Sequence, residues 1–222
     1  MTPSDEQPQR LDLALVARGL VATRAKARDL IARGEVRVDG EVAQKPAMNV
    51  REEQTIVVDP AAAAQVSRGA GKLTAALDHF GLDPATRIAL DVGVSTGGFT
   101  QVLLERGATR VYAVDVGKGQ LHASLMGDPH VVVLEECDAR TLDRTMVPEA
   151  INAIVADVSF ISLRKVLPAA LALVAPGCWL VALVKPQFEV GREGVGKGGI
   201  VREPALREKA LMDVREWLAA QE

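Results

Sequence analysis

The sequence contains few cysteines and few aromatic side chains. Cys137 and Cys178 are its two cysteines, and their positions provide neither metal-ligand spacing nor a disulfide framework. We therefore expect a cytoplasmic protein without a metal. Aromatic residues make up 3% of the chain, which argues against a broad stacking platform for bases. The net charge is −3 at pH 7, so any binding of nucleic acid must depend on local positive patches.

The sequence also lacks a clear export signal or membrane span. Its first ten residues, MTPSDEQPQR, have no apolar core of the kind found in signal peptides. One uncharged run, residues 166–184, has about the length of a span, but Pro168, Pro176 and Gly177 interrupt it. A buried helix, a turn and a buried strand explain this run better, so we expect no membrane contact.

The patterns that are present divide the chain into two domains. Residues 1–59 predict a small α+β domain, residues 60–66 an alanine-rich linker, and residues 67–222 a larger domain. Helix and strand signals alternate in the larger domain, as is typical of a parallel sheet covered by helices. The predicted fold class is therefore α/β, a Rossmann-like sheet with a small N-terminal α+β domain.

The small domain carries a cluster of positive charge. Thr23 is placed to cap a helix that ends at Gly34, and Asp39-Gly40 predicts a tight hairpin. Six basic residues and two acids lie between residues 18 and 37. From charge alone, a solvated helix surface and an RNA-binding surface explain this cluster equally well.

A resemblance favours RNA. The segment RLDLALVARGLVATRAKARDLIARGEVRVDGEVAQKP is similar to the S4 RNA-binding fold. The resemblance implies that the second helix and the following turn contact the RNA backbone, and such contacts position an RNA without reading its sequence. The matching residues are Arg24, Lys26, Arg28, Arg33 and Arg37.

A glycine-rich turn follows the first strand of the larger domain, in IALDVGVSTGGFT. Glycines let the backbone approach a ligand closely, and a helix N-terminus offers free N–H groups. The spacing is neither G-x-G-x-x-G nor a loop that ends in Lys-Ser/Thr, which disfavours dinucleotide and triphosphate sites. Asp91-x-Gly93-x-x-x-Gly97 resembles the first motif of Rossmann-like methyltransferases, and a turn without a ligand is the alternative.

Charged residues end the neighbouring strands. Asp115 ends the second strand, where a carboxylate can accept hydrogen bonds from ribose hydroxyls. Asp157 and Lys185 end the fourth and fifth strands, and open α/β sheets bind their ligands beyond such strand ends. A ligand site is therefore favoured over a surface ion pair.

Six segments together resemble the TlyA family: SRGAGKL, DVGVSTGGFT, YAVDVGKGQL, DVSFISL, LVKPQFEVG and GKGGIVRE. These proteins are ribosomal RNA ribose methyltransferases, often named haemolysins, and their catalytic domain is similar to FtsJ-type enzymes. The resemblance implies transfer of a methyl group from S-adenosylmethionine to the 2′-hydroxyl of a cytidine in ribosomal RNA. It also implies that Lys72, Asp157 and Lys185 match the first three members of a Lys-Asp-Lys-Glu tetrad.

The same resemblance implies contacts with the cofactor and the RNA. Asp138 is expected to recognise the adenine, with Glu135 and Glu136 as competitors. Independently of the resemblance, the five glycines of segment 191–203, together with Arg192, Lys197 and Arg202, predict a mobile loop that contacts RNA and closes over the site, and a flexible connector is the alternative. The expected cofactor-binding residues are Asp91, Gly93, Ser95, Thr96, Gly97, Gly98, Phe99, Asp115 and Asp138. Further RNA contacts are expected at Arg68, Arg192 and Lys197.

The expected mechanism uses a lysine base. A ribose hydroxyl must lose its proton as it attacks, and a neutral lysine can take that proton. We expect Lys185 to be the base, Lys72 to position the ribose or phosphate, and Asp157 to align the two lysines. The chain ends at REWLAAQE with no match to two further strands of the family or to the fourth tetrad residue, so we expect a sheet that lacks C-terminal strands.

Three other functions compete with this interpretation. A non-catalytic RNA-binding or ribosome-binding module is favoured by the unmatched C-terminal strands. A nicotinamide-dependent oxidoreductase is disfavoured by the glycine spacing. A membrane-active haemolysin is suggested only by the names of family members. We expect a monomer or a weak dimer that has ribosomal subunits as its partner.

Overall fold

The chain divides into two compact units, residues 1–68 and 69–222. A computed structural model describes residues 8–21, 23–67 and 69–221. Residues 60–64 of the expected linker form a short helix at the end of the first unit, because alanine favours helix strongly.

The first unit is a small α+β structure. Its elements are β1 (Gln9–Arg10), α1 (Leu11–Ala17), α2 (Arg24–Ala32), β2 (Val36–Val38), β3 (Glu41–Val42), β4 (Asn49–Val50), β5 (Ile56–Val58) and α3 (Pro60–Ala64). Three strands form an antiparallel sheet in the order β3-β2-β5, and β1 pairs with β4. The predicted cap is confirmed, since the Thr23 side chain accepts a hydrogen bond from the N–H of Lys26. Asp39 and Gly40 have positive φ angles of 50° and 87° and make the predicted hairpin turn.

The second unit is a five-stranded parallel sheet with helices on both faces. Its helices are α4 (Gly69–Phe80), α5 (Gly98–Glu105), α6 (Ala123–Met126), α7 (Leu163–Leu171), α8 (Pro186–Glu189) and α9 (Pro204–Ala219). Its strands are β6 (Ile88–Val92), β7 (Arg110–Val114), β8 (Val131–Leu134), β9 (Ile151–Ala156) and β10 (Val174–Ala182), and their order is β10-β9-β6-β7-β8.

The direction of winding reverses beside β6. The chain runs from β6 through β7 to β8 on one side, then returns to place β9 and β10 on the other side. A crevice forms beyond the carboxyl ends of the strands at such a reversal, and ligands of open α/β sheets bind there. The residues that follow β6, β7 and β9 are therefore brought together by topology.

The uncharged run 166–184 contains the C-terminal part of α7 and all of β10. The register of β10 against β9 shifts between Val174 and Trp179, where Pro176 and Gly177 interrupt the strand. Among residues 8–21, 23–67 and 69–221, the structure contains no helix that is both long enough and apolar enough to cross a membrane. The predicted helix, turn and strand therefore account for this run.

Candidate active site

A cavity of about 510 Å³ lies beyond the carboxyl ends of the central strands. Its walls come from the turn after β6, the loops after β7 and β8, and the loop between β9 and α7. The lining residues are Val92, Gly93, Ser95, Val114, Asp115, Val116, Gly117, Gln120, Cys137, Asp138, Ala139, Asp157, Val158, Ser159, Phe160, Ile161 and Val166.

The glycine turn packs tightly against the loop after β9. Gly93 has a φ of +85°, and a Cβ at this position would lie 3.1 Å from the carbonyl oxygen of Asp157. Gly97 has a φ of +95°, and a Cβ at this position would collide with a methyl group of Leu125. A side chain at either position would therefore meet both steric conflict and backbone strain.

Asp91 is buried beneath the turn with one oxygen unused. The residue is 1% exposed, and its Oδ2 accepts a hydrogen bond of 2.7 Å from the Thr100 hydroxyl. Its Oδ1 has no hydrogen-bond partner in the part of the chain that the structure describes. Burial raises the pKa of Asp91 to about 7. Asp91 does not itself line the cavity.

Asp115 connects two walls of the cavity. Its Oδ2 accepts a hydrogen bond from the N–H of Ser95 at 2.8 Å, and its Oδ1 accepts one from the N–H of Gly117 at 2.7 Å. A carboxylate oxygen has two lone pairs, so each oxygen retains the capacity to accept a further hydrogen bond. Asp115 is therefore both a structural connection and an available acceptor.

The three acidic residues after β8 have different positions. Asp138 lines the cavity, and a hydrogen bond from Arg140 lowers the pKa of its carboxyl to about 2. Glu135 accepts a hydrogen bond from the N–H of Gln120, and Glu136 pairs with Lys118. Of the three, only Asp138 is part of the cavity wall.

Two lysines meet one carboxylate beside the cavity. The Nζ of Lys185 lies 2.7 Å from Oδ1 of Asp157, and the Nζ of Lys72 lies 3.3 Å from Oδ2 of the same residue. Lys185 also donates a hydrogen bond of 2.8 Å to the hydroxyl of Ser159. The structure thus brings together the three residues that match the tetrad, which come from α4, from the end of β9 and from the segment after β10.

The loop between β9 and α7 contains two residues that sequence reasoning missed. Ser159 lies two positions after Asp157, and its contact with Lys185 is visible only in three dimensions. Phe160 is 91% exposed and has a φ of +68°, an unfavourable conformation for a bulky residue. An exposed aromatic ring in a strained loop at a cavity is typical of a ligand contact. The signal available in the sequence was a phenylalanine close to Asp157.

Other residues expected to bind the cofactor lie outside the cavity wall. Phe99 is buried in the core beside β6, and Gly98 is buried at the start of α5. The carbonyl oxygen of Thr96 accepts a hydrogen bond from the N–H of His122. These residues shape the turn. Of the expected cofactor-binding residues, Gly93, Ser95, Asp115 and Asp138 line the cavity.

The segment 191–203 has defined local structure. Arg192–Gly194 form a 3-10 turn, and a bridge between Gly196 and Ile200 encloses Lys197. Arg192 also lines a groove of about 1230 Å³ that shares Phe160 and Ile161 with the cavity.

Two arginines and a lysine expected to bind RNA in the first unit already have internal partners. Arg24 contacts the buried Asp12 at 2.8 Å, and Lys26 donates to the carbonyl oxygen of Gln65. Arg33 contacts Asp29 at 3.4 Å.

Two of the remaining residues expected to contact RNA have exposed side chains, and the third is outside the described residues. Arg37 donates to the carbonyl oxygen of Gly40 at 3.1 Å, while its side chain and that of Arg28 are exposed. Arg68 lies outside the residues that the structure describes.

Comparison with known proteins places this arrangement in a family. A model of the FtsJ-like methyltransferases matches residues 65–221, and an S4 domain model matches residues 9–56. The 16S/23S rRNA (cytidine-2'-O)-methyltransferase TlyA of Mycobacterium tuberculosis is 50% identical over 206 residues, which cover 92% of this chain and 77% of that protein. The chain belongs to the TlyA family of FtsJ-like methyltransferases.

Two further relatives agree with this assignment. Hemolysin A of Brachyspira hyodysenteriae is 41% identical over 203 residues, covering 91% of this chain and 84% of that protein. A solved structure of a hemolysin-named protein from Streptococcus thermophilus has a TM-score of 0.71 and 39% identity, and covers 96% of this chain and 78% of that one. The predicted family, the α/β fold with an N-terminal S4 domain and the methyltransferase class are confirmed.

Proposed function

We propose that this protein transfers a methyl group from S-adenosylmethionine to the ribose 2′-hydroxyl of a cytidine in ribosomal RNA. The observation that carries the proposal is the cluster of Lys72, Asp157 and Lys185 beside the cavity. The printed name of the relative that is 50% identical supports the substrate class.

The residues of the cavity fit the cofactor. A volume of about 510 Å³ lies within the usual range of small-molecule sites, roughly 300–1,000 Å³. Asp115 offers acceptors for the two ribose hydroxyls, and Asp138, whose carboxylate is held by the backbone N–H and the guanidinium of Arg140, lies in the wall against which an adenine would be bound. Gly93 lets the turn pack closely against Asp157, so that both residues lie in the same cavity wall. When bound, S-adenosylmethionine supplies a methyl group on a positively charged sulfur.

Lys185 is suited to take the proton of the attacking hydroxyl. A neutral lysine amine has two N–H donors and one lone pair. Asp157 and Ser159 can accept the two N–H donors, which leaves the lone pair for the hydroxyl. Lys185 takes the proton as the ribose oxygen bonds to the methyl carbon, and the electron pair of the broken carbon–sulfur bond stays on sulfur. Asp157 then stabilises the ammonium that results.

Lys72 and Phe160 are suited to hold the RNA. Lys72 uses one of its ammonium donors for Asp157, and its side chain is half exposed, so two donors remain for a ribose or phosphate oxygen. The exposed ring of Phe160 offers a face for stacking on a base. In the S4 unit, the exposed Arg28 and Arg37 are available for phosphate contacts.

The proposal is tested by transfer of labelled methyl groups from S-adenosylmethionine to unmodified ribosomal subunits. We expect label in the RNA of wild-type reactions, mapped to a ribose, and its loss with Lys185→Met. The matched control is Lys209→Met, which removes another lysine paired with an aspartate, at 2.8 Å from Asp213 on α9. If wild-type protein binds the cofactor and the subunits but transfers no label, a binding module replaces the enzyme as the explanation.

A further inference from the structure

The carboxylate of Glu189 is buried, yet it does not line the cofactor cavity. Its side chain is 1% exposed, and burial of a charge is costly unless the charge is paired and hydrogen-bonded. Its Oε2 accepts a hydrogen bond of 2.6 Å from the hydroxyl of Ser162, and its Oε1 accepts one of 2.8 Å from the N–H of Leu163. The guanidinium of Arg164 lies 3.6 Å from Oε2.

These hydrogen bonds join two segments that are 26 residues apart in the sequence. Ser162 is the N-cap of α7, and its hydroxyl accepts a hydrogen bond from the N–H of Arg164. The N–H of Leu163 is one of the first N–H groups of the helix, which have no partner within it. Glu189 therefore completes the cap of α7 from the end of α8.

Each of the joined segments carries one member of the lysine–aspartate cluster. Asp157 begins the loop that leads into Ser162, and Lys185 is the N-cap of α8, which ends at Glu189. The turn of α8 is closed by a hydrogen bond of 2.9 Å from the N–H of Phe188 to the carbonyl oxygen of Lys185. A displacement of Glu189 from Ser162 would therefore move Lys185 relative to Asp157.

We propose that Glu189 is a positioning residue that keeps Lys185 and Asp157 in contact. Its hydrogen bonds with Ser162 and Leu163 form a clasp between the two segments, outside the cavity. This inference rests on the proposed function, because the clasp matters for catalysis only if Lys185 and Asp157 act on the methyl acceptor. A misplacement of about 1 Å can reduce a rate by about 100-fold, so the clasp acts mainly on kcat.

The first test compares three variants of the whole chain in methyl transfer to ribosomal subunits. Glu189→Leu, which removes both acceptors, is expected to lower kcat about 100-fold and to leave the Kd of S-adenosylmethionine within about twofold. Glu189→Gln is expected to restore most of kcat, because an amide oxygen can accept from Leu163 and an amide N–H can donate to Ser162. Ser162→Ala, which removes one of the two hydrogen bonds to Glu189 and also the hydroxyl that accepts from the N–H of Arg164, is the second variant if Glu189→Leu does not fold.

The matched control is Glu149→Leu. Glu149 accepts hydrogen bonds from the Tyr112 hydroxyl at 2.6 Å and from Arg110 at 2.7 Å, and Arg110 begins β7 at the end of the sheet opposite the cavity. We expect this variant to lose stability and to keep its kcat. A Glu189→Leu protein that is folded and retains wild-type kcat would overturn the proposal, and so would an equal loss of kcat in Glu149→Leu.

A second test does not depend on methyl transfer. The free energy of unfolding is measured for Glu189→Leu, Lys185→Met and the double variant. If the clasp supports the contact between Lys185 and Asp157, the two effects are coupled and do not add. Additive effects would overturn the clasp. If the two effects are coupled but the wild-type protein transfers no methyl group, the proposed function is refuted and the clasp stands.

Discussion

The backbone N–H of Ser95 donates a hydrogen bond of 2.8 Å to the carboxylate of Asp115. This contact joins the glycine turn after β6 to the loop after β7, and both line the same cavity. Asp115 therefore has two functions in the proposed site, because it holds the walls together and offers its remaining lone pairs to a ligand.

Asp115→Asn should weaken binding of S-adenosylmethionine at least tenfold. The amide NH₂ group cannot accept a hydrogen bond, so it would face the N–H of either Ser95 or Gly117 without an acceptor. Loss of a hydrogen bond to a charged group is worth about 1.5–3 kcal/mol, which corresponds to about tenfold or more in Kd. Titration calorimetry measures the change. Asp83→Asn, at a turn where Asp83 accepts from the N–H of Ala85, is the control. Equal Kd values for Asp115→Asn and wild type would contradict the assignment.

Gly93→Ala should reduce both stability and methyl transfer. The substitution adds a Cβ at a φ of +85° and 3.1 Å from the carbonyl oxygen of Asp157, so the backbone that carries Asp157 must shift. Gly81→Ala is the matched control, because its φ is +61° and nothing lies within 4 Å of its added Cβ. Both variants should lose about 1–3 kcal/mol through backbone strain, measured by urea unfolding. Only Gly93→Ala should also lose kcat, and a similar kcat in the two would mean that the turn does not position Asp157.

Asp91→Asn should flatten the dependence of stability on pH. Burial raises the pKa of Asp91 in the folded protein to about 7, from an ordinary value of 3.8. Between these values the folded state binds more protons than the unfolded state, so this residue makes stability fall as pH rises, by at most about 1.4 kcal/mol per pH unit. Above about pH 7 its contribution is constant. Unfolding in urea at several values between pH 4 and pH 8 measures the slope, and identical slopes for variant and wild type would exclude this role for Asp91.

Phe160→Ala should lower methyl transfer without lowering stability. The residue is 91% exposed and its ring has a tilted contact with the ring of Phe188 at a centroid distance of 5.4 Å, so its removal costs little packing, whereas stacking on a base is worth about 1–3 kcal/mol. We expect a fall of about fivefold to 150-fold in kcat/KM for ribosomal subunits and an unchanged Kd for S-adenosylmethionine. Phe80→Ala, at an exposed ring at the end of α4, controls for the loss of an aromatic side chain. Activity that is equally preserved in both variants would argue against a contact with RNA.

The main features of the site could be predicted because they follow from periodicity and topology. Hydrophobic strands that end in charged residues direct those residues to one edge of a parallel sheet. In the structure Asp115 and Asp157 directly follow their strands and line the cavity, and Lys185 follows β10 after a short segment and contacts Asp157. The helix cap at Thr23 and the hairpin at Asp39-Gly40 depend on neighbouring residues alone, so local sequence was sufficient.

The partners of charged side chains could not be predicted in the same way. Charge alone did not decide the role of Arg24, and the resemblance to the S4 fold implied a phosphate contact; in the structure its guanidinium contacts the buried Asp12. Hydrogen bonding to Arg10 lowers the pKa of Asp12 to about 2, which is the effect of an internal ion pair. Glu189 was visible only as part of a motif, because its partners Ser162 and Leu163 are 27 and 26 residues away in the sequence.

The cluster of lysines and aspartate also has a consequence for folding. Lys72 and Asp157 are 85 residues apart in the sequence, and they meet only when β6 and β9 are paired and α4 is packed against the sheet. Contacts of such long range carry a large loop-closure cost and form late. Methyl transfer therefore reports completion of the parallel sheet, and during refolding it should return after the secondary structure is regained.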